Sequence, residues 1–142
     1  MGDGDQRDSL ERKAKQLDIS DSVIFTGRIS NVPEMLQAMD VMMLPSLFEG
    51  LPNVVLEWQI SGLPCLISNN ITKECKVTDL VKFLPIDKGV GAWIDCIKDI
   101  DISMDRAAIS ESSCVAMKKE AFEIDENVQL VKNLYIDAVR GT

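Results

Sequence analysis

Two carboxylates, Glu49 and Glu57, bracket the stretch Glu49-Gly50-Leu51-Pro52-Asn53-Val54-Val55-Leu56-Glu57. Gly50 permits a turn without a side chain, and Pro52 suits the first position of a helix, where its missing N–H is an orphan in any case. The backbone N–H groups of Leu51, Asn53 and Val54 are then free of intrahelical partners, and a helix mouth of that kind attracts phosphate. Glu49 lies just before this mouth and Glu57 about one and a half turns inside the helix. The spacing predicts an anion-binding junction with an acid on each side of it.

Such a junction needs a strand to lead into it. Val41-Met42-Met43-Leu44 is an apolar run of strand length that Pro45 stops. The helix opened by Pro52 extends to about Ser61, where Gly62 and Pro64 end it, and Cys65-Leu66-Ile67 makes a second short buried strand. Ser68-Asn69-Asn70 forms a polar loop at its end, and Asn69, Asn70 and Thr72 lie where ligands gather in open α/β sheets. Val81-Lys82-Phe83-Leu84, closed by Pro85, reads as a strand at a sheet edge. Upstream, an amphipathic helix over 8–17 precedes turn residues 18–22 and a β-rich run, Val23-Ile24-Phe25-Thr26, ended by Gly27. Asn31 is placed to cap a short helix with Pro33 in its first turn. Downstream, the pattern predicts helices over 92–100 and 104–120. A last helix is capped by Asp125, with Val128, Val131, Tyr135 and Ala138 on one face. Strands alternating with helices predict a parallel sheet with helices on both faces, in one domain spanning 1–142.

The totals bound the partners. Fifteen basic and twenty-three acidic residues give a net charge of −8, which argues against nucleic acid or an anionic membrane surface as the main partner. The same balance leaves few cations to meet a phosphate. No apolar run approaches the roughly 20 residues of a transmembrane helix, and the polar start is unlike a signal peptide. Cys65, Cys75, Cys96 and Cys114 show no CxxC pair, and the chain has no histidine. The expectation is reduced, packed thiols and no metal site. Trp58 and Trp93 read as packing residues rather than sugar platforms.

The ordered series Leu44-Pro45-Ser46, Glu49 to Glu57 and Ser61-Gly62-Leu63-Pro64 resembles the E-x7-E signature of the family 4 (group 1) retaining glycosyltransferases, which have the GT-B fold. Gly2-Asp3-Gly4, Val23-Ile24-Phe25-Thr26-Gly27 and Ala38-Met39-Asp40 also fall where that family's C-terminal domain has them. The resemblance covers about residues 2–100 well and the last helix loosely. It implies an incomplete Rossmann-like sheet, part of a donor-binding C-terminal domain whose first strands and acceptor-binding N-terminal partner are missing.

By that resemblance Glu57 accepts from the ribose diol of a UDP- or GDP-type nucleotide sugar, and Glu49 is the catalytic carboxylate that meets the donor-sugar hydroxyls, with no nucleophilic role assigned. Carboxylates suit both tasks, because they accept two hydrogen bonds from neighbouring hydroxyls. Gly50, Leu51, Pro52 and Asn53 then cradle the diphosphate, while backbone groups at Arg28 and Ile29 contact the base; by residue type alone Ser46 could donate to a phosphate, though a serine after a proline in a turn needs no function. No cofactor or metal is implied. The acceptor would be a glycan or a lipid-linked glycan met through the missing half. That half would also carry any peripheral attachment to the cytoplasmic face of a membrane. The family's basic Gly-Arg and Lys motifs at the start of the donor domain are not found here. The alternatives are another GT-B enzyme, such as a nucleotide-sugar 2-epimerase, or a non-catalytic α/β binding module. A receiver-like module would want acids at strand C-termini, whereas Asp40 precedes its strand.

Overall fold

In the computed structural model, which describes residues 4–120, 122 and 124–140, the chain divides into two compact units, Met1–Met35 and Leu36–Thr142. Gly2 and Asp3 of the N-terminal motif lie outside the described residues.

The first unit is built on α1 (Arg7–Gln16), which buries Ala14. Its end is a left-handed cap: Asp18 has φ 55°, its N–H bonds Lys15 O at 3.1 Å, and the N–H of Ile19 bonds Ala14 O at 3.0 Å. Arg7 joins the helix to the following segment. It pairs with Glu11 at 2.9 Å, donates to Phe25 O at 3.4 Å, and lies 5.9 Å from the Phe25 ring centroid. A single 3₁₀ turn, Ser20–Ser22, intervenes.

The predicted strand at Val23–Thr26 is not formed. These residues join no ladder among the described residues, and Ile24 is 85% exposed. β-rich composition makes a strand only where a neighbouring strand takes up its N–H and C=O groups, and none does so among the described residues. Helix α2 (Val32–Gln37) then carries the chain into the second unit.

The second unit holds a three-stranded parallel sheet in the order β1 (Met42–Leu44), β2 (Cys65–Ser68), β3 (Val81–Leu84). Met42 pairs with Cys65 and Leu44 with Ile67, while Cys65 pairs with Val81 and Ser68 with Leu84. β1 starts one residue later than the apolar run suggests, and β2 runs one residue further. Central β2 is buried at all four positions, as its unbroken apolar character requires of a strand covered on both sides.

The β1–β2 crossover is α3 (Asn53–Ile60), which packs on β2 and buries Val55, Leu56, Trp58 and Gln59. The β2–β3 crossover carries only a 3₁₀ turn, Lys73–Cys75. α3 ends in the same left-handed manner as α1. Gly62 has φ +70°, its N–H bonds Gln59 O at 3.0 Å, and Leu63 N–H bonds Trp58 O at 3.0 Å. A Cβ on Gly62 would stand 2.8 Å from Arg106 O, so glycine is required twice over, by conformation and by space.

After β3, α4 (Gly91–Lys98) is tied back by Trp93, whose indole N–H donates to Pro85 O at 2.9 Å. Trp58 and Trp93 are both buried, in keeping with a packing role. Asp105 caps α5 (Arg106–Lys119) by accepting from the N–H groups of Ala107 and Ala108. α5 packs on α3, and Ser110 donates to Ile60 O at 2.6 Å. α6 spans Ile124–Arg140, so Asp125 lies inside its first turn rather than at its cap. Val128, Val131 and Tyr135 are exposed along it, and the side chain of Ala138 lies outside the described residues.

All four cysteines are free. Cys65 and Cys75 are buried, and burial, helped by the neighbouring Cys75, pushes the Cys65 thiol up to about 12. Burial also raises the Cys75 thiol. The folded state therefore holds Cys65 as the neutral thiol while the unfolded chain ionises near pH 9. Its contribution is constant below about pH 9 and is lost as pH rises from there toward 12, by about 1.4 kcal/mol per pH unit. Urea midpoints at pH 7, 9 and 10 should fall more steeply for the unmodified protein than for Cys65→Ala. Equal slopes would refute the assignment.

Candidate active site

The loop of residues 45–52 leaves the C-terminal end of β1 and enters α3. Pro52 takes the cap position (φ −78°, ψ 94°) and Asn53 is the first helical residue, one place later than the sequence pattern suggests. Proline fixes the backbone there, and no side chain caps the helix. Val55 N–H bonds Pro52 O at 2.9 Å. Asn53 and Val54 stand in the first turn, where no intrahelical carbonyl can reach their N–H groups, and both residues are exposed.

Exposure along α3 sorts the motif. The buried side, Val55, Leu56, Trp58 and Gln59, faces the protein, whereas Asn53, Glu57 and Ile60 are exposed at helical spacing. Glu57 thus lies one turn above Asn53 on the solvent side, about 6 Å along the axis from the open helix mouth. No hydrogen bond or ion pair holds its carboxylate among the described residues. It is available to a ligand seated on that mouth.

Glu49 is held differently. It is half-buried, and the Ser46 hydroxyl donates to its Oε1 at 2.8 Å. Between them Leu47 and Phe48 are 74% and 85% exposed, so the loop carries an apolar tip next to a polar pair. Gly50 and Leu51 are exposed and Pro52 is buried. Ser46, Glu49, Gly50, Leu51, Pro52, Asn53 and Glu57 therefore occupy one continuous loop and helix opening, as the spacing predicts. Arg28 and Ile29 belong to the first compact unit, where they follow the buried Gly27 at φ +62°; Arg28 is exposed and Ile29 half-buried. Among the described residues no group of three or more His, Cys, Asp or Glu is placed to hold a metal ion.

The residue that anchors this helix carries no motif in the sequence. Gln59 is fully buried, and its amide N–H donates to Cys75 O at 2.8 Å and Val55 O at 3.0 Å. Its carbonyl accepts from Val77 N–H at 3.1 Å, Thr78 N–H at 2.9 Å and the Thr78 hydroxyl at 3.0 Å. Gln59 thus ties the β2–β3 crossover to the helix that carries Glu57. The one sequence signal is a polar residue on the side of α3 that is otherwise apolar.

Residues 1–99 match the family model described as glycosyl transferases group 1. Among curated relatives, EpsF of Bacillus subtilis, which carries a glycosyltransferase name, is 37% identical over 97 residues, covering 68% of this chain and 25% of its own length. The Escherichia coli UDP-Gal:alpha-D-GlcNAc-diphosphoundecaprenol alpha-1,3-galactosyltransferase is 30% identical over 145 residues, covering 98% of this chain and 36% of that protein. A Campylobacter jejuni alpha-1,4-N-acetyl-D-galactosaminyltransferase that acts on an undecaprenol-linked glycan is 35% identical over 102 residues, 72% of this chain and 26% of its own. The chain thus spans about a quarter to a third of the length of these relatives. With the match running over the β1 strand, the loop and the α3 helix just described, the chain belongs to the group 1 glycosyltransferases.

Proposed function

We infer that this chain supplies the donor-binding part of an enzyme that transfers a sugar from a UDP- or GDP-type nucleotide sugar, with retention, to a glycan or lipid-linked acceptor in polysaccharide synthesis. The observation that carries this reading is the open mouth of α3 after β1, with Glu57 one turn above Asn53 on the exposed side and Glu49 in the loop before it. A diphosphate on that mouth places one carboxylate toward the ribose and the other toward the sugar. The leaving nucleoside diphosphate gains negative charge as the glycosidic bond breaks, and the helix N-terminus stabilises that charge.

The relatives' names point the same way. The E. coli protein uses UDP-Gal and forms an alpha linkage on an undecaprenol-linked acceptor, and the C. jejuni protein also forms an alpha linkage on such an acceptor. Glycosyl transfer between oxygen atoms needs no redox cofactor. A lipid-linked acceptor would bring the complete enzyme to the cytoplasmic face of a membrane through residues outside this chain. The epimerase and binding-module alternatives are not favoured by any of these names.

The test is nucleotide titration and single-turnover kinetics on the complete gene product. Glu57→Gln should weaken UDP or GDP binding about tenfold to a hundredfold, the worth of a hydrogen bond to a charged group, while Glu49→Gln should chiefly slow turnover. Unchanged nucleotide affinity in Glu57→Gln would refute the ribose assignment. An inverted linkage, or transfer without a nucleotide sugar, would refute the reaction.

A further inference from the structure

We propose that Ser46 is a positioning residue for Glu49: its hydroxyl holds one carboxylate oxygen and so fixes the orientation in which the acid meets the donor sugar. The inference rests on the donor-binding reading above and assigns Ser46 to Glu49 rather than to the diphosphate.

Two observations and one property of the serine hydroxyl carry it. The Ser46 Oγ lies 2.8 Å from Glu49 Oε1, three residues away in the same loop. A serine hydroxyl has one proton, and this contact uses it. No cation pairs with Glu49 among the described residues, so this hydrogen bond is what restrains a flexible acid in a loop whose Leu47 and Phe48 project into solvent. A free glutamate loses considerable rotamer freedom on being fixed, and a site that fixes it before the substrate arrives avoids that loss at the reacting centre. With one of its lone-pair sites taken by the serine, the carboxylate is held in one orientation, and its remaining lone pairs, those of Oε2 first, face the sugar hydroxyls. Ser46 therefore acts on rate, without touching the nucleotide.

The experiment is a double-mutant cycle on the complete enzyme: Ser46→Ala, Glu49→Ala and both together, with Ser46→Thr as the conservative variant. UDP or GDP affinity is measured beside single-turnover rates. Ser46→Ala should lower turnover about tenfold and leave nucleotide affinity unchanged, Ser46→Thr should restore most of the rate, and Ser46→Ala should cost nothing further in the Glu49→Ala background. A further tenfold loss in that background, or weakened nucleotide binding by Ser46→Ala, would show that the serine serves the loop or the diphosphate and would overturn the inference alone. Failure of the unmodified enzyme to turn over any nucleotide sugar would overturn the donor reading and the inference with it.

Discussion

Gln59→Leu should destabilise the protein by about 3–5 kcal/mol, the largest single effect expected in the sheet-bearing unit. The substitution removes the acceptor for two backbone N–H groups and a hydroxyl, and the donor to Cys75 O, at a side chain with no solvent exposure. A fully buried group left without a partner costs about 1–3 kcal/mol, the half-buried Val77 and Thr78 groups cost less because water reaches them, and leucine cannot replace any of the bonds. Val55 O is the exception, because the helix itself supplies it with an N–H. Against a typical domain stability of about 5–15 kcal/mol the loss is a large fraction of the total. Urea denaturation of the two proteins measures it, and a difference below about 1 kcal/mol would show that the amide is not the clasp between α3 and the β2–β3 crossover. Gln59→Glu should also be destabilising, since it keeps an acceptor but loses the donor and buries a charge.

Arg106→Met should cost about 2–4 kcal/mol by the same measurement. From the first turn of α5 the guanidinium donates, among the described residues, to four backbone carbonyls and to no carboxylate: Gln37 O at 3.1 Å, Met39 O at 2.9 Å, Leu36 O at 3.0 Å and Ser61 O at 3.1 Å. These oxygens lie at or just beyond the C-terminal ends of α2 and α3, where helix carbonyls lack intrahelical partners and carry partial negative charge. A planar fork reaches four of them at once, and an ammonium does not, so Arg106→Lys should recover less than half of the loss. Among the described residues the buried Nε of Arg106 has no hydrogen-bond partner, so part of the gain from the four bonds is already offset in the native protein. Full stability in Arg106→Lys would show that charge alone, rather than the fork, closes these helix ends.

The three strands that formed were legible because each is a short apolar run bounded by turn residues, and a buried parallel strand needs nothing else. Val23–Thr26 has the same composition and failed, because strand formation depends on a neighbour that local sequence does not describe. The motif from Ser46 to Glu57 was legible as spacing, and the helix mouth fell within one residue of the predicted position. Gln59 and Arg106 were not legible. A polar side chain inside a motif and a basic one on a serine-rich helix look like solvated residues until the carbonyls and N–H groups they satisfy, up to 70 positions away, are brought to them. Ser46 falls between these cases: its three-residue distance to Glu49 was visible, but the direction of its proton was not.

The register of the sheet bears on how quickly it assembles. Met42 meets Cys65 across 23 positions and Cys65 meets Val81 across 16. By the logarithmic cost of loop closure those two loops differ by only about 0.3 kcal/mol. Chain entropy therefore gives almost no preference for closing either side first, and both closures are short for parallel pairing. β2 is the shared partner in each. The rate of folding of this unit should accordingly follow the apolar character of Cys65–Ser68 far more than the length of either connection, so loop insertions would leave it nearly unchanged while a polar residue in β2 would slow it.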